Sequence, residues 1–205
     1  MESDAHYYAE GYGAENDPYV QDNGVLINKL GLKDFKSLNE IEADLAGVEV
    51  KRLISEALPA SFDLSYLCFL HEQIFQHIYP WAGQFRQVDI GKGDTLFLAH
   101  HKIAEEAGKL FTDLADRQFF TNTTAETFSQ QVGEFLVRLN TIHPFREGNG
   151  RVQRLFVFQL ARNAGIELDW GPVGNEAMKR AWIEGISGNT QLMVRLILLN
   201  SKHVG

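Results

Sequence analysis

The sequence predicts an all-α fold, a compact helical bundle with one short β-hairpin. Three observations predict it. Apolar residues recur at three- and four-residue spacing in seven separate windows. One further window, residues 84–98, alternates instead and passes through the turn Gly91-Lys92-Gly93-Asp94. Hydrophobic residues make up 44% of the 205 residues, enough for one real core.

Residues 1–24 are rich in Gly, Asp, Asn and Tyr and have no helical period, so they read as an extended arm. Residues 25–205 read as a single domain. Its first helix runs from Leu38 to Leu53, with Leu38, Ile41, Leu45, Val48 and Leu53 as its apolar positions. Asp63 reads as the N-cap of a second helix reaching about Ile78, lined by Leu64, Leu67, Leu70, Ile74 and Ile78. His71 and His77 on that helix are expected to satisfy local hydrogen bonds. After the hairpin, helical periods return at Ile103–Leu114, Ala125–Asn140, Gly150–Ala164, Asn175–Gly185 and Thr190–Asn200. No internal repeat breaks this order.

Composition excludes several functions. The net charge is −8, so a general nucleic-acid binder, which needs a basic footprint, is not expected. No stretch approaches the ~20 apolar residues of a membrane span. The first residues carry two acids and no apolar core segment, unlike a secretory signal. The single cysteine, Cys68, cannot form an internal disulfide and reads as buried, which fits a reducing compartment and a cytoplasmic location. Arg146, Arg151, Arg154 and Arg162 fall within seventeen residues and point to a small anion.

Residues 143–154 read HPFREGNGRVQR. Pro144 cannot continue a helix, so the chain breaks after His143. A glycine-rich turn, Glu147-Gly148-Asn149-Gly150, then feeds a new helix. Free N–H groups and the helix dipole at such a junction attract an anion. Gly148 and Gly150 let phosphate approach the backbone, and Asn149 can hold the loop or donate to an oxygen. Arg151 and Arg154 project from neighbouring turns and suit phosphate oxygens. Glu147 is a hard oxygen ligand for Mg²⁺. His143 can accept a proton from an attacking hydroxyl. Base, metal ligand, anion nest and cationic clamps together point to phosphoryl or nucleotidyl transfer.

This run resembles the signature of the Fic family (filamentation induced by cAMP), His-x-Phe-x-Asp/Glu-Gly-Asn-Gly-Arg-x-x-Arg. Trp81-Ala82-Gly83 with Arg86 resembles the family's stretch before its flap, and residues 84–98 resemble the flap itself. The resemblance covers roughly residues 20 to 200. It implies transfer of AMP from Mg-ATP to a Ser, Thr or Tyr hydroxyl of a target protein. His143 would be the general base and Glu147 would hold Mg²⁺. Gly148, Asn149 and Gly150 would cradle the phosphates, with Arg151 and Arg154 clamping and orienting them. Phe145 would anchor the loop in the core. The flap would take up an extended target segment by strand addition through Val88, Asp89, Ile90 and Leu98. Leu96 and Phe97 would border the nucleotide. Asn175, Met178 and Trp182 are candidates for the adenine pocket, with ordinary core as the plainer reading of Met178 and Trp182.

A superfamily branch transfers the γ-phosphate instead and replaces the second glycine with lysine. Gly150-Arg151 favours AMP transfer over such a phosphoryl-transfer toxin. The family's inhibitory pattern, Ser/Thr-x-x-x-Glu-Gly/Asn, is absent: the residues four before each Glu-Gly or Glu-Asn are His6, Gly11, His143 and Arg180. In the family this implies a toxin held off by a separate small antitoxin that supplies the glutamate, with Arg154 unpaired in the isolated chain. Type II topoisomerase subunits are the expected target. The alternative is the Fic domain of a secreted effector that modifies host GTPases. The flap charges, Arg86, Asp89, Lys92 and Asp94, are nearly balanced and select no strongly charged target.

Overall fold

A computed structural model describes residues 8–9, 17–93 and 95–203. Among these residues it contains seven α-helices and only short strands. The helices are α1 (Phe35–Ile54), α2 (Leu64–Phe75), α3 (Ile103–Asp116), α4 (Ala125–Ile142), α5 (Asn149–Asn163), α6 (Asn175–Ile186) and α7 (Gln191–Leu199). Side-chain caps start three of them. Asp34 accepts from Ser37 N–H, Asp63 from Tyr66 N–H and Thr124 from Thr127 N–H. The expected cap at Asp63 is therefore present, but α2 stops at Phe75, short of Ile78. The Phe75 carbonyl accepts from both Ile78 and Tyr79, which tightens the chain before Pro80.

The core lies around α4 and α5. Phe128, Val132, Leu136 and Leu139 of α4 and Val152, Phe156, Val157 and Leu160 of α5 are all fully buried. Phe156 meets Phe62, Phe111 and Phe135, with ring centroids 5.5–5.9 Å apart. Cys68 is only half-buried, and burial pushes its thiol up to about 11.

Helix α1 corrects the expected face. Ile41, Leu45 and Val48 are exposed, whereas Leu38, Glu42, Ala46 and Leu53 are buried. The helix is rotated so that a carboxylate, not three aliphatic side chains, faces the interior.

The hairpin consists of β2 (Ile90–Lys92) and β3 (Thr95–Leu96), with Asp94 of its turn outside the described residues. A strand from the arm, β1 (Tyr8–Ala9), pairs antiparallel with β2 in the register Tyr8↔Gly91 and Ala9↔Ile90. A second sheet pairs β4 (Ile166–Leu168) with β5 (Ser201–His203). Residues 17–24 of the expected arm are built into the domain. Val20 bridges Leu26, Tyr19 packs edge-on against Trp81, and the Tyr19 hydroxyl accepts from Gln87 N–H.

Candidate active site

The α4–α5 junction fixes the site. His143 ends α4 in a left-handed conformation, φ 48°. Pro144 forbids another turn, so the chain reverses through residues 144–148 into α5. Asn149 staples this loop: its Oδ1 accepts from Phe145 N–H at 2.9 Å and its Nδ2 donates to Phe145 C=O at 2.7 Å. Of the two expected roles, it holds the loop. Phe145 is fully buried, as an anchor must be.

Gly148 lies at φ 81°, and a Cβ there would sit 2.3 Å from the Phe75 ring. Only glycine fits. A Cβ on Gly150 would meet Arg154 Nη1 at 3.3 Å, so the second arginine's guanidinium lies against the second glycine. Asn149 and Gly150 open α5, and no preceding turn supplies acceptors for their N–H groups. The glycine turn thus opens directly into the N-terminus of α5, where the anion nest is expected.

His143 is 2% exposed, and burial lowers its pKa to about 3. Its Nδ1 stands 3.2 Å from the Asn140 carbonyl. A carbonyl only accepts, so Nδ1 carries the proton and Nε2 holds the basic lone pair. The Phe97 ring stacks on the imidazole at 3.8 Å and 20°. The flap thus contributes Phe97 directly to the histidine.

Arg151 Nη2 bonds Glu42, lies 3.5 Å from Glu147 Oε1, and the guanidinium sits 4.7 Å over the Phe75 ring. Glu42 also accepts from the Tyr79 hydroxyl, whose pKa is raised by burial and by that carboxylate. Glu147 Oε1 accepts from Gly148 N–H at 2.8 Å. Burial and the neighbouring Glu42 charge raise the Glu147 pKa, while Arg151 opposes them. Sequence reasoning missed Glu42, because a glutamate in an amphipathic helix reads as a solvent-facing residue.

The four-arginine cluster does not survive intact. Arg146 is 4% exposed and pairs with Asp17 at 3.0 Å. Arg162 donates to the Ile54 carbonyl at the end of α1. Only Arg151 and Arg154 remain at the nest. Arg154 is not unpaired as expected: it has a contact of its own within the chain, and its carbonyl accepts from Trp170 Nε1.

On the hairpin, Val88 and Ile90 are buried, Asp89 accepts from His100 N–H and pairs with its ring, and Leu98 N–H donates to Thr141 C=O. Leu96 is exposed. The expected surface charge of Arg86 is absent. Arg86 is 1% exposed, donates to the carbonyls of Val88, Leu98, Ile142 and His143, and burial lowers its pKa to about 10. It ties the flap base to the end of α4. Of the adenine-pocket candidates, Met178 is buried, Trp182 packs against the core and Asn175 is exposed at the start of α6. The His71 ring bonds beyond its own helix, to Gly83 N–H and to the Glu147 carbonyl 76 residues away.

Known proteins resemble this chain in sequence and in fold. A sequence model described as the Fic/DOC family matches residues 61–161. The protein adenylyltransferase VbhT of Bartonella schoenbuchensis is 40% identical over 92% of this chain, and the match spans 40% of VbhT. The probable protein adenylyltransferase Fic of Salmonella typhimurium is 32% identical over 88% of this chain and 90% of its own length. Among solved structures, the VirB-translocated effector BepC of Bartonella tribocorum, with bound AMPPNP, superposes with a TM-score of 0.85. Its identity is 25%, over 91% of this chain and 97% of that one.

Proposed function

The chain belongs to the Fic/DOC family, and on that premise we propose that it is a protein adenylyltransferase that moves AMP from Mg-ATP to a hydroxyl of a target protein. The observation that carries this reading is His143. Its Nε2 lone pair is set by the Nδ1–Asn140 bond, at the head of the loop that leads through Gly148 into α5. Nucleotide binding alone needs no such base.

The residues divide the work. His143 Nε2 takes the proton of a Ser, Thr or Tyr hydroxyl as its oxygen attacks the α-phosphorus, and pyrophosphate leaves. The Gly148–Gly150 nest holds the phosphates, Arg151 clamps them and Arg154 orients the terminal one. Among the described residues no group of three His, Cys, Asp or Glu could hold a metal alone. Glu147 fits a Mg²⁺ shared with phosphate oxygens and waters, which needs only one or two carboxylates. That ion would neutralise charge on the phosphates. Gly150 followed by Arg151 supports AMP transfer over γ-phosphate transfer, because the superfamily branch that moves the γ-phosphate carries lysine in place of that glycine.

Leu96 and Phe97 would border the nucleotide. The flap would take a target segment by strand addition along the backbone of β2 at residues 90–91, the edge where Tyr8 and Ala9 pair; the Leu98 backbone and the Val88 carbonyl are already bonded within the chain. The missing inhibitory pattern supports a toxin restrained by a separate antitoxin that supplies a glutamate to Arg154, with type II topoisomerase subunits as target. The likeness to BepC, a VirB-translocated effector, favours a second reading, the Fic domain of a secreted effector; host GTPases would then be its targets. No helix among the described residues is long and apolar enough to cross a membrane.

ATP labelled at the α- or γ-phosphate, incubated with the chain and lysate, tests the reaction. Alpha label on a protein band is expected. Gamma label means phosphoryl transfer, and no label means a nucleotide-binding module. His143→Ala is expected to lose transfer and keep ATP binding; retained transfer removes His143 from its role.

A further inference from the structure

His71, in α2, joins two backbone segments far from it in sequence. Its Nε2 lies 3.0 Å from the Glu147 carbonyl, and its Nδ1 accepts from Gly83 N–H at 2.8 Å. The carbonyl can only accept and the amide can only donate. One neutral tautomer, protonated at Nε2 and bare at Nδ1, satisfies both. The ring is fully buried and stacks on Phe145 at 3.9 Å and 18°.

The consequence lies in the Glu147–Gly148 peptide. A trans peptide directs its C=O and N–H to opposite sides. With the carbonyl held inward by His71, the Gly148 N–H must face the other way, where it meets the Glu147 carboxylate at 2.8 Å. The N–H therefore already holds an anionic oxygen, as a nest donor would. Gly83, the other partner, closes the Trp81-Ala82-Gly83 turn that leads into the flap.

We propose that His71 is a positioning residue for polyphosphate binding: it locks the Glu147–Gly148 peptide so that Gly148 N–H points into the nest, and through Gly83 it ties the nest to the root of the flap. This rests on the reading of residues 148–151 as the phosphate site.

Paired variants of the full chain separate the two bonds. A glutamine amide reaches about where Nε2 stands, so His71→Gln keeps a donor for Glu147 and loses the acceptor for Gly83. An asparagine reaches about where Nδ1 stands, so His71→Asn does the reverse. His71→Phe keeps the stacking and loses both. Mg-ATP affinity, KM and kcat are measured beside the melting temperature. His71→Asn and His71→Phe are expected to weaken ATP binding by roughly tenfold, the scale of one hydrogen bond, as a rise in KM with little change in kcat. His71→Gln is expected to stay near wild type. Equal affinities for the Gln and Asn variants at similar melting temperatures overturn the proposal. In the wild-type chain, ring ¹⁵N shifts are expected to show protonated Nε2 and bare Nδ1, and the opposite tautomer overturns it without any variant. A wild-type chain that binds no Mg-ATP overturns the nucleotide reading, and this proposal with it.

Discussion

At position 148 a single methyl group meets the Phe75 ring at 2.3 Å, on a backbone already at φ 81°. Phe75 also carries the Arg151 guanidinium on its face. A side chain at 148 therefore strains the loop and displaces the platform of the phosphate clamp together. Gly148→Ala is expected to lose about 2–4 kcal/mol of stability from backbone strain and overpacking. ATP affinity is expected to fall with it. Thermal melting and calorimetric titration check both, and wild-type values in each would show that the nest tolerates a side chain. The motif's residue types were legible in sequence because each answers a chemical demand: no Cβ, a hard oxygen, a fork of donors, a titratable ring. Their partners were not. Nothing in HPFREGNGRVQR shows that Glu42 and Tyr79 meet at Arg151, or that Asp17 takes Arg146 away from the site.

At the scale of elements, α1 and the arm act on the site from outside the motif. Helix α1 turns Glu42 inward, and its carboxylate links α1 to α5 through Arg151 and to residue 79 after α2. Glu42→Ala leaves a buried hydroxyl and a guanidinium without this acceptor, and is expected to cost about 2–3 kcal/mol. For a chain of this size that is a fall of roughly 4–12 °C in Tm, which differential scanning calorimetry can read. The apolar count along α1 misled because Ile41, Leu45 and Val48 share a helical face just as Leu38, Ala46 and Leu53 do. Periodicity finds a stripe but does not say which stripe the rest of the fold covers. The arm strand Tyr8–Ala9 lies on one edge of β2, the edge where an added target strand could pair. Removing residues 1–16 is expected to raise the rate of target labelling. An unchanged rate would mean that targets do not use this edge of β2.

Across the whole molecule, burial sets the response to pH. His71 and His143 are both pushed down to about 3 because burial disfavours the charged ring. In the unfolded chain both titrate near 6.5. Between those values the unfolded state binds protons that the folded state refuses. The stability is therefore full above pH 6.5 and is lost as pH falls toward 3. The loss is roughly 2 kcal/mol for each ring by pH 5. Chemical denaturation at pH 7.5 and pH 5 measures it, and His71→Gln is expected to reduce the slope by one proton; an unaltered slope would remove His71 from the account.

Residue order alone determined the helical class, the hairpin, the break at Pro144 and the glycine turn into α5. Each depends on spacing, on a missing Cβ or on a missing N–H, which are properties of the chain itself. Tertiary structure decided what meets the nest. It brought Glu42 from α1, His71 from α2, Phe97 from the flap and Arg86 beneath it, and it removed Arg146 and Arg162. Those pairings join residues far apart in sequence, and only the packing of the helices around α4 and α5 sets which buried charge finds which partner.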